Sequence, residues 1–112
     1  MKVKWHLEEA VMLVDLYRRV EELDANTRQQ EMEKLSFLLN KRAKILQIPI
    51  DDKFRNVNGI IMQLENIRYI ETKGTEGLSA FSKVAQEAYQ LNSEMPEVFK
   101  RIVQEFKEKY EI

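Results

Sequence analysis

The chain has 112 residues, no cysteine and a formal net charge of −1. That length suits one domain with a single core, the missing cysteines exclude disulfides and thiolate metal sites, and the near-neutral balance gives no global attraction to nucleic acid. With 44% hydrophobic and 33% charged residues but only three Gly and two Pro, the composition predicts long helices rather than disorder or many short strands.

The N-terminus meets Glu8 and Glu9 before any long apolar run, which argues against a signal peptide, and no later segment has the length of a membrane span. Residues 7–23 place Leu7, Ala10, Val11, Val14, Tyr17 and Leu23 near one stripe, widened by Leu13, Leu16 and Val20. A helix with so wide an apolar face is contacted from more than one side, and Trp5 is expected to pack across its first turn.

Thr27 with Gln30 three residues on has the form of a capping box for a second helix over about 28–47. That helix buries Met32, Leu35, Leu38 or Leu39, Ala43 and Leu46. Its last turns carry Lys41, Arg42 and Lys44, where the helix dipole favours cations. Pro49 holds Ile48 extended, and Asp51 or Asp52 caps a short turn. Asn56 then caps a third helix over 57–70, with Val57, Ile60, Ile61, Leu64 and Ile67 inward and Asn58, Gly59, Met62, Asn66 and Tyr69 on the other side.

Gly74 and Gly77 mark the longest irregular stretch. Ser79 or Ser82 starts a fourth helix to about Asn92, and Pro96 fits the first turn of a fifth, striped by Phe99, Ile102, Val103, Phe106 and Tyr110. The expected fold is all-α with about five helices in a single domain over 1–112. A helix-turn-helix-like tri-helical unit over 1–72 precedes a helical hairpin over 78–110.

The residues that carry chemistry are sparse. His6 is the only histidine, so a metal site would rest on one imidazole and a nucleophile would lack a base. Gly74 and Gly77 lack the phosphate-loop pattern, and the paired acids are sequence neighbours rather than convergent groups. No enzyme activity, cofactor or metal is expected.

A recognition surface remains. Residues 41–73 hold 7 basic and 4 acidic side chains, whereas residues 1–40 hold 6 and 8 and residues 74–112 hold 5 and 7. In a helix-turn-helix-like arrangement the third helix enters a major groove. Asn58, Gln63 and Asn66 have the chemistry to read adenine edges, and Lys53, Arg55 and Lys73, with Arg68, can hold phosphates. The connection over 48–56 is longer than the turn of a compact helix-turn-helix, and Glu65 shares the presented side.

The stretches WHLEEAVMLVDLY, KLSFLL, IDDKFRNVNGIIMQLENIRYI and GTEGLSAFSKVAQEAY resemble the N-terminal helical accessory domain of bacterial HNH-type restriction endonucleases and related defence and helicase proteins. The matching residues are Trp5, Glu8, Glu9, Phe54, Arg55, Asn56, Gly59, Met62, Leu64, Gly77, Leu78, Ser79 and Lys83, and the likeness covers most of residues 5–92. It implies a non-catalytic DNA-binding or recognition module in a restriction or defence setting, in the bacterial cytoplasm, with double-stranded DNA as partner. The HNH residues themselves are absent, so cleavage does not carry over. The alternative is a protein-interaction module, such as a homodimer, using Met62, Tyr69 and Ile70; the near-neutral charge favours it.

Overall fold

A computed structural model describes residues 3–111; the expected domain bounds at residues 1 and 112 lie outside them. Helix α1 (Leu7–Val20) starts at His6, whose Nδ1 accepts from the Glu8 amide at 3.2 Å while the Glu9 carboxylate accepts from the His6 amide at 3.0 Å. This capping box uses imidazole as the acceptor. Ala10, Val11, Met12, Leu13, Val14, Leu16, Tyr17 and Val20 are all buried, because α1 packs against each of the other four helices. The wide apolar stripe is the signature of that central position.

Helix α2 (Ala25–Ile45) begins earlier than the Thr27 capping box predicts. Asp24 is the cap and its Oδ1 accepts from the Thr27 amide at 2.7 Å. A carboxylate beside orphan amides is a stronger acceptor than a hydroxyl, so Asp24 takes the end and Thr27 becomes part of the first turn. At the other end, Gln47 adopts a left-handed conformation (φ 59°) while the Gln47 and Ile48 amides donate back to Lys44 and Ala43 at 3.1 and 2.9 Å. These are the two hydrogen bonds of a Schellman motif, built here without glycine.

Helix α3 (Val57–Glu71) is capped by Asn56, whose Oδ1 accepts from the Gly59 amide at 2.8 Å. It also ends in a Schellman motif with a non-glycine residue in the left-handed position, Lys73 at φ 54°. Gly77 follows, and its glycine is required: a Cβ there would stand 2.3 Å from the Glu65 carbonyl oxygen and 2.8 Å from the Tyr69 nitrogen. The Leu78 amide donates to that Glu65 carbonyl at 3.1 Å, so the segment after α3 folds back and docks on it.

Helix α4 (Lys83–Glu94), capped by Ser82, buries Ala85 and Ala88, and α5 (Pro96–Tyr110), opened by Pro96, buries Phe99, Phe106 and Tyr110. Among the described residues there is no strand. The all-α, five-helix architecture agrees with the sequence. One hydrophobic cluster draws residues from all five helices, so the helices of the expected tri-helical unit share their core with the C-terminal hairpin.

Candidate functional site

Two polar clusters and one mixed surface carry the functional-type residues. The first cluster gathers the start of α1, the middle of α2, the loop before α3 and the end of α5. Glu9 is essentially inaccessible, and Arg55 grips it with Nε to Oε2 at 2.9 Å and a terminal nitrogen to Oε1 at 3.1 Å. The guanidinium is stacked between two rings, 3.8 Å from the centroid of Trp5 and 4.4 Å from that of Phe54. It also donates to the carbonyls of Val3 and Lys4 at 3.3 and 3.1 Å.

Arg55 itself has φ 49°, a left-handed conformation that costs an L-residue about 1–2 kcal/mol. The surroundings over-determine it. Ser36 Oγ donates to the Arg55 carbonyl at 2.7 Å and Asn40 Nδ2 to the Phe54 carbonyl at 2.9 Å, which ties the loop to α2.

Beside it, Glu8 accepts from Arg42 at 2.5 Å and Tyr110 at 3.0 Å on one oxygen and from Lys109 at 3.1 Å on the other. Burial pushes the Glu8 carboxyl up, but the bonds from Arg42, Lys109 and Tyr110 together hold it below its ordinary value. Tyr110 is raised, first by burial and then by donating to Glu8. Every carboxylate here has cationic partners, so the cluster has no free base to offer a substrate.

The second cluster joins α1 to α3 and α4. Glu71 is bound by Arg18 and accepts from Tyr17 Oη at 2.8 Å, and Arg18 Nε donates to Asn92 at 2.8 Å. Arg18 also lies over the ring of Tyr89 at 5.2 Å. Burial, and then the Glu71 carboxylate, raise the Tyr17 phenol well above its ordinary range. This too is a closed structural network.

These positions correct the expected nucleic-acid contacts at two residues. The Arg55 side chain is only 7% exposed and committed to Glu9, so it is not presented to a phosphate. Asn66 is 5% exposed and faces the core with its Oδ1 unpartnered by protein, so it is not presented to a base edge. Gln63 is half-buried, whereas Asn58, Lys53 and Lys73 are exposed. Arg68 bonds Glu76 at 2.7 Å and lies 3.7 Å from Glu65, so its charge is matched locally.

The outward face of α3 also differs from the expected one. Ile61, assigned inward by periodicity, is 40% exposed, and Met62 beside it is 58% exposed. Tyr69, assigned outward, is half-buried with its ring 5.9 Å from that of Phe81. Leu78, 44% exposed, is fixed by its bond to the Glu65 carbonyl one turn along from Ile61 and Met62. Sequence reasoning missed both Ile61 and Leu78 as surface residues.

Two concavities complete the surface. An open groove of about 700 Å³ between α2 and α5 has Met12, Leu35, Leu38 and Tyr110 in its lining. A smaller recess of about 340 Å³ is lined by Leu7, Leu91 and Met95 with Glu87 and Glu94. Among the described residues no three His, Asp or Glu side chains cluster as a metal site, and no helix is long and apolar enough to cross a membrane.

The chain matches no family model, no curated protein and no solved structure.

Proposed function

We propose that the chain is a non-catalytic protein-interaction module whose partner-binding surface is the outward face of α3 with the loop docked on it. The observation that carries this reading is the exposed trio Ile61, Met62 and Leu78, the first two fixed by α3 and the third by the bond from its amide to the Glu65 carbonyl. Apolar and Met side chains at fixed positions, on a helix whose one arginine is paired with Glu65 and Glu76, are the composition of an interface centre rather than of a phosphate-binding face. Its resemblance to accessory domains of restriction and defence proteins supplies the setting: a partner subunit or domain of such a system.

A photo-crosslinking residue in place of Asn58, introduced in cells of the source organism, is expected to give a protein adduct of defined mass. Ile61→Asp with Met62→Asp is expected to abolish it while leaving the circular dichroism spectrum unchanged. An adduct that persists in the double variant, or none at all, refutes the reading.

Duplex DNA stands as a second reading because Lys53, Asn58 and Lys73 are exposed and the two lysines have no ion-pair partner among the described residues. Fluorescence anisotropy with labelled duplex DNA tests it. Saturable binding that weakens steeply with salt and is lost in Lys53→Ala/Lys73→Ala supports it, and no binding at low salt removes it.

A further inference from the structure

Helix α2 carries a surface that neither polar cluster uses. Gln30, Glu33, Phe37, Lys41 and Lys44 recur at the spacing of one helical face, and all are exposed or half-buried. Phe37, at the centre, is 72% exposed, the most exposed of the large hydrophobic residues described. Charge is divided about it. Residues 21–33 contain five acidic side chains and one basic, whereas residues 34–48 contain four basic and none acidic.

Compensation of the helix dipole accounts for Asp24 at one end and Lys44 at the other, but that effect fades within a turn of each terminus. Glu33 and Lys41 lie well inside α2 and have no ion-pair partner among the described residues. They sit four residues before and four after Phe37. A helix face with an exposed aromatic at its midpoint and opposite charges at equal distances on either side is complementary to itself when turned end for end.

We propose that a second copy of this chain docks antiparallel along α2, with the twofold axis passing at Phe37. In that register Phe37 meets the partner's Phe37, Glu33 faces the partner's Lys41, Lys41 faces the partner's Glu33, and Gln30 faces the partner's Lys44. Such an isologous contact closes after two copies and leaves no open surface for further growth. The groove beside Phe37, with Met12, Leu35, Leu38 and Tyr110 in its lining, supplies apolar volume for the partner's side chains. At 1.5 Å per residue the 21 residues of α2 span about 30 Å, long enough for the paired positions from Gln30 to Lys44 to lie along one straight contact. This surface is separate from the α3 face, so its failure and the failure of the partner-binding reading are distinguishable.

The test is sedimentation velocity of the full chain over a concentration series at low salt. The mass is expected to rise from 13.4 kDa to twice that value. Phe37→Glu is expected to weaken the dimer by on the order of 100-fold, and Lys41→Glu, which sets Glu against Glu at both symmetric positions, by about tenfold. Adding Glu33→Lys to Lys41→Glu restores opposite charges across the axis, so the double variant is expected to dimerise within about threefold of the original. These side chains are solvent-facing, and an unchanged helical circular dichroism spectrum verifies that each variant folds. A chain that stays monomeric throughout, a dimer indifferent to Phe37→Glu, or a double variant no tighter than Lys41→Glu overturns the proposal.

Discussion

Replacing Arg55 with Ala removes the one cation hydrogen-bonded to Glu9 among the described residues and leaves that carboxylate buried with the His6 amide at 3.0 Å and Arg42 at 3.8 Å. Breaking a buried ion pair from one side costs about 3–5 kcal/mol, because the remaining charge stays out of water. The stacks on Trp5 and Phe54 add about 0.5–1 kcal/mol each, and the partial shielding by Arg42 offsets a similar amount. Alanine in the same left-handed backbone position recovers nothing. The expected loss is therefore about 4 kcal/mol, most of the stability of a domain at the low end of the usual range. In urea, with a slope of about 1.5 kcal/mol per M, the midpoint should fall by roughly 2.5 M. Trp5 is the sole tryptophan and sits against the guanidinium, so its fluorescence reports the same site. Lys53→Ala, two residues away and exposed, should change stability by no more than about 0.5 kcal/mol. A loss below about 1 kcal/mol for Arg55→Ala would refute the placement of this side chain as an internal brace.

The remaining expectations concern pH and backbone conformation. Glu8, Glu31 and Glu71 are all held below the ordinary carboxylate value of 4.5, so their contribution is full above that pH and lost as pH falls through their lowered folded-state values. Urea midpoints should decline below pH 4.5, and the gap between the original chain and Glu8→Gln should narrow there. Tyr17 and Tyr110 are raised from 10.0, so their contribution is full below pH 10 and is lost as pH rises through their raised folded-state values; absorbance titration should show that replacing either by Phe removes a late-ionising phenol. Gln47→Gly relieves a left-handed glutamine at the end of α2 and should raise stability by about 0.5–1 kcal/mol in thermal melts. Gly77→Ala drives a Cβ into the α3 backbone and should cost about 2–3 kcal/mol, with faster amide exchange at Leu78.

What could be read from the sequence follows the range of the physics. Asn56 as a cap, Pro96 in a first turn and the α5 stripe depend on neighbours within one or two turns, and those features agree with the structure. At α2 two good capping residues compete within three positions, and periodicity has no means of ranking Asp24 against Thr27. On α3 the core face is rotated toward Asn66 and away from Ile61, because α3 meets α4 as well as α1 and α2 and the Gly77 loop covers one side. Apolar spacing places a stripe but says nothing about which polar residue lies along its buried edge. Arg55 was the largest departure. Its partner is 46 residues away and its conformation is left-handed, neither of which a local rule detects. Trp5, Glu9, Phe54 and Arg55 are separated by up to 50 positions in the chain, yet they assemble into one brace. The exposed apolar positions Ile61, Met62 and Leu78 depend on tertiary packing in the same way, and apolar spacing places only Met62 of the three outward.

The bonds from Lys109 and Tyr110 to Glu8 join residues 101 and 102 positions apart. Closing so long a loop is entropically unfavourable until the intervening helices have packed, which predicts that these bonds form after the folding barrier. Contacts absent from the transition state act on the unfolding rate alone. Tyr110→Phe should therefore leave the refolding arm of a chevron plot in place while raising the unfolding arm. With that outcome the end of α5 is a clasp, governing how long the folded molecule persists rather than how quickly that state is reached.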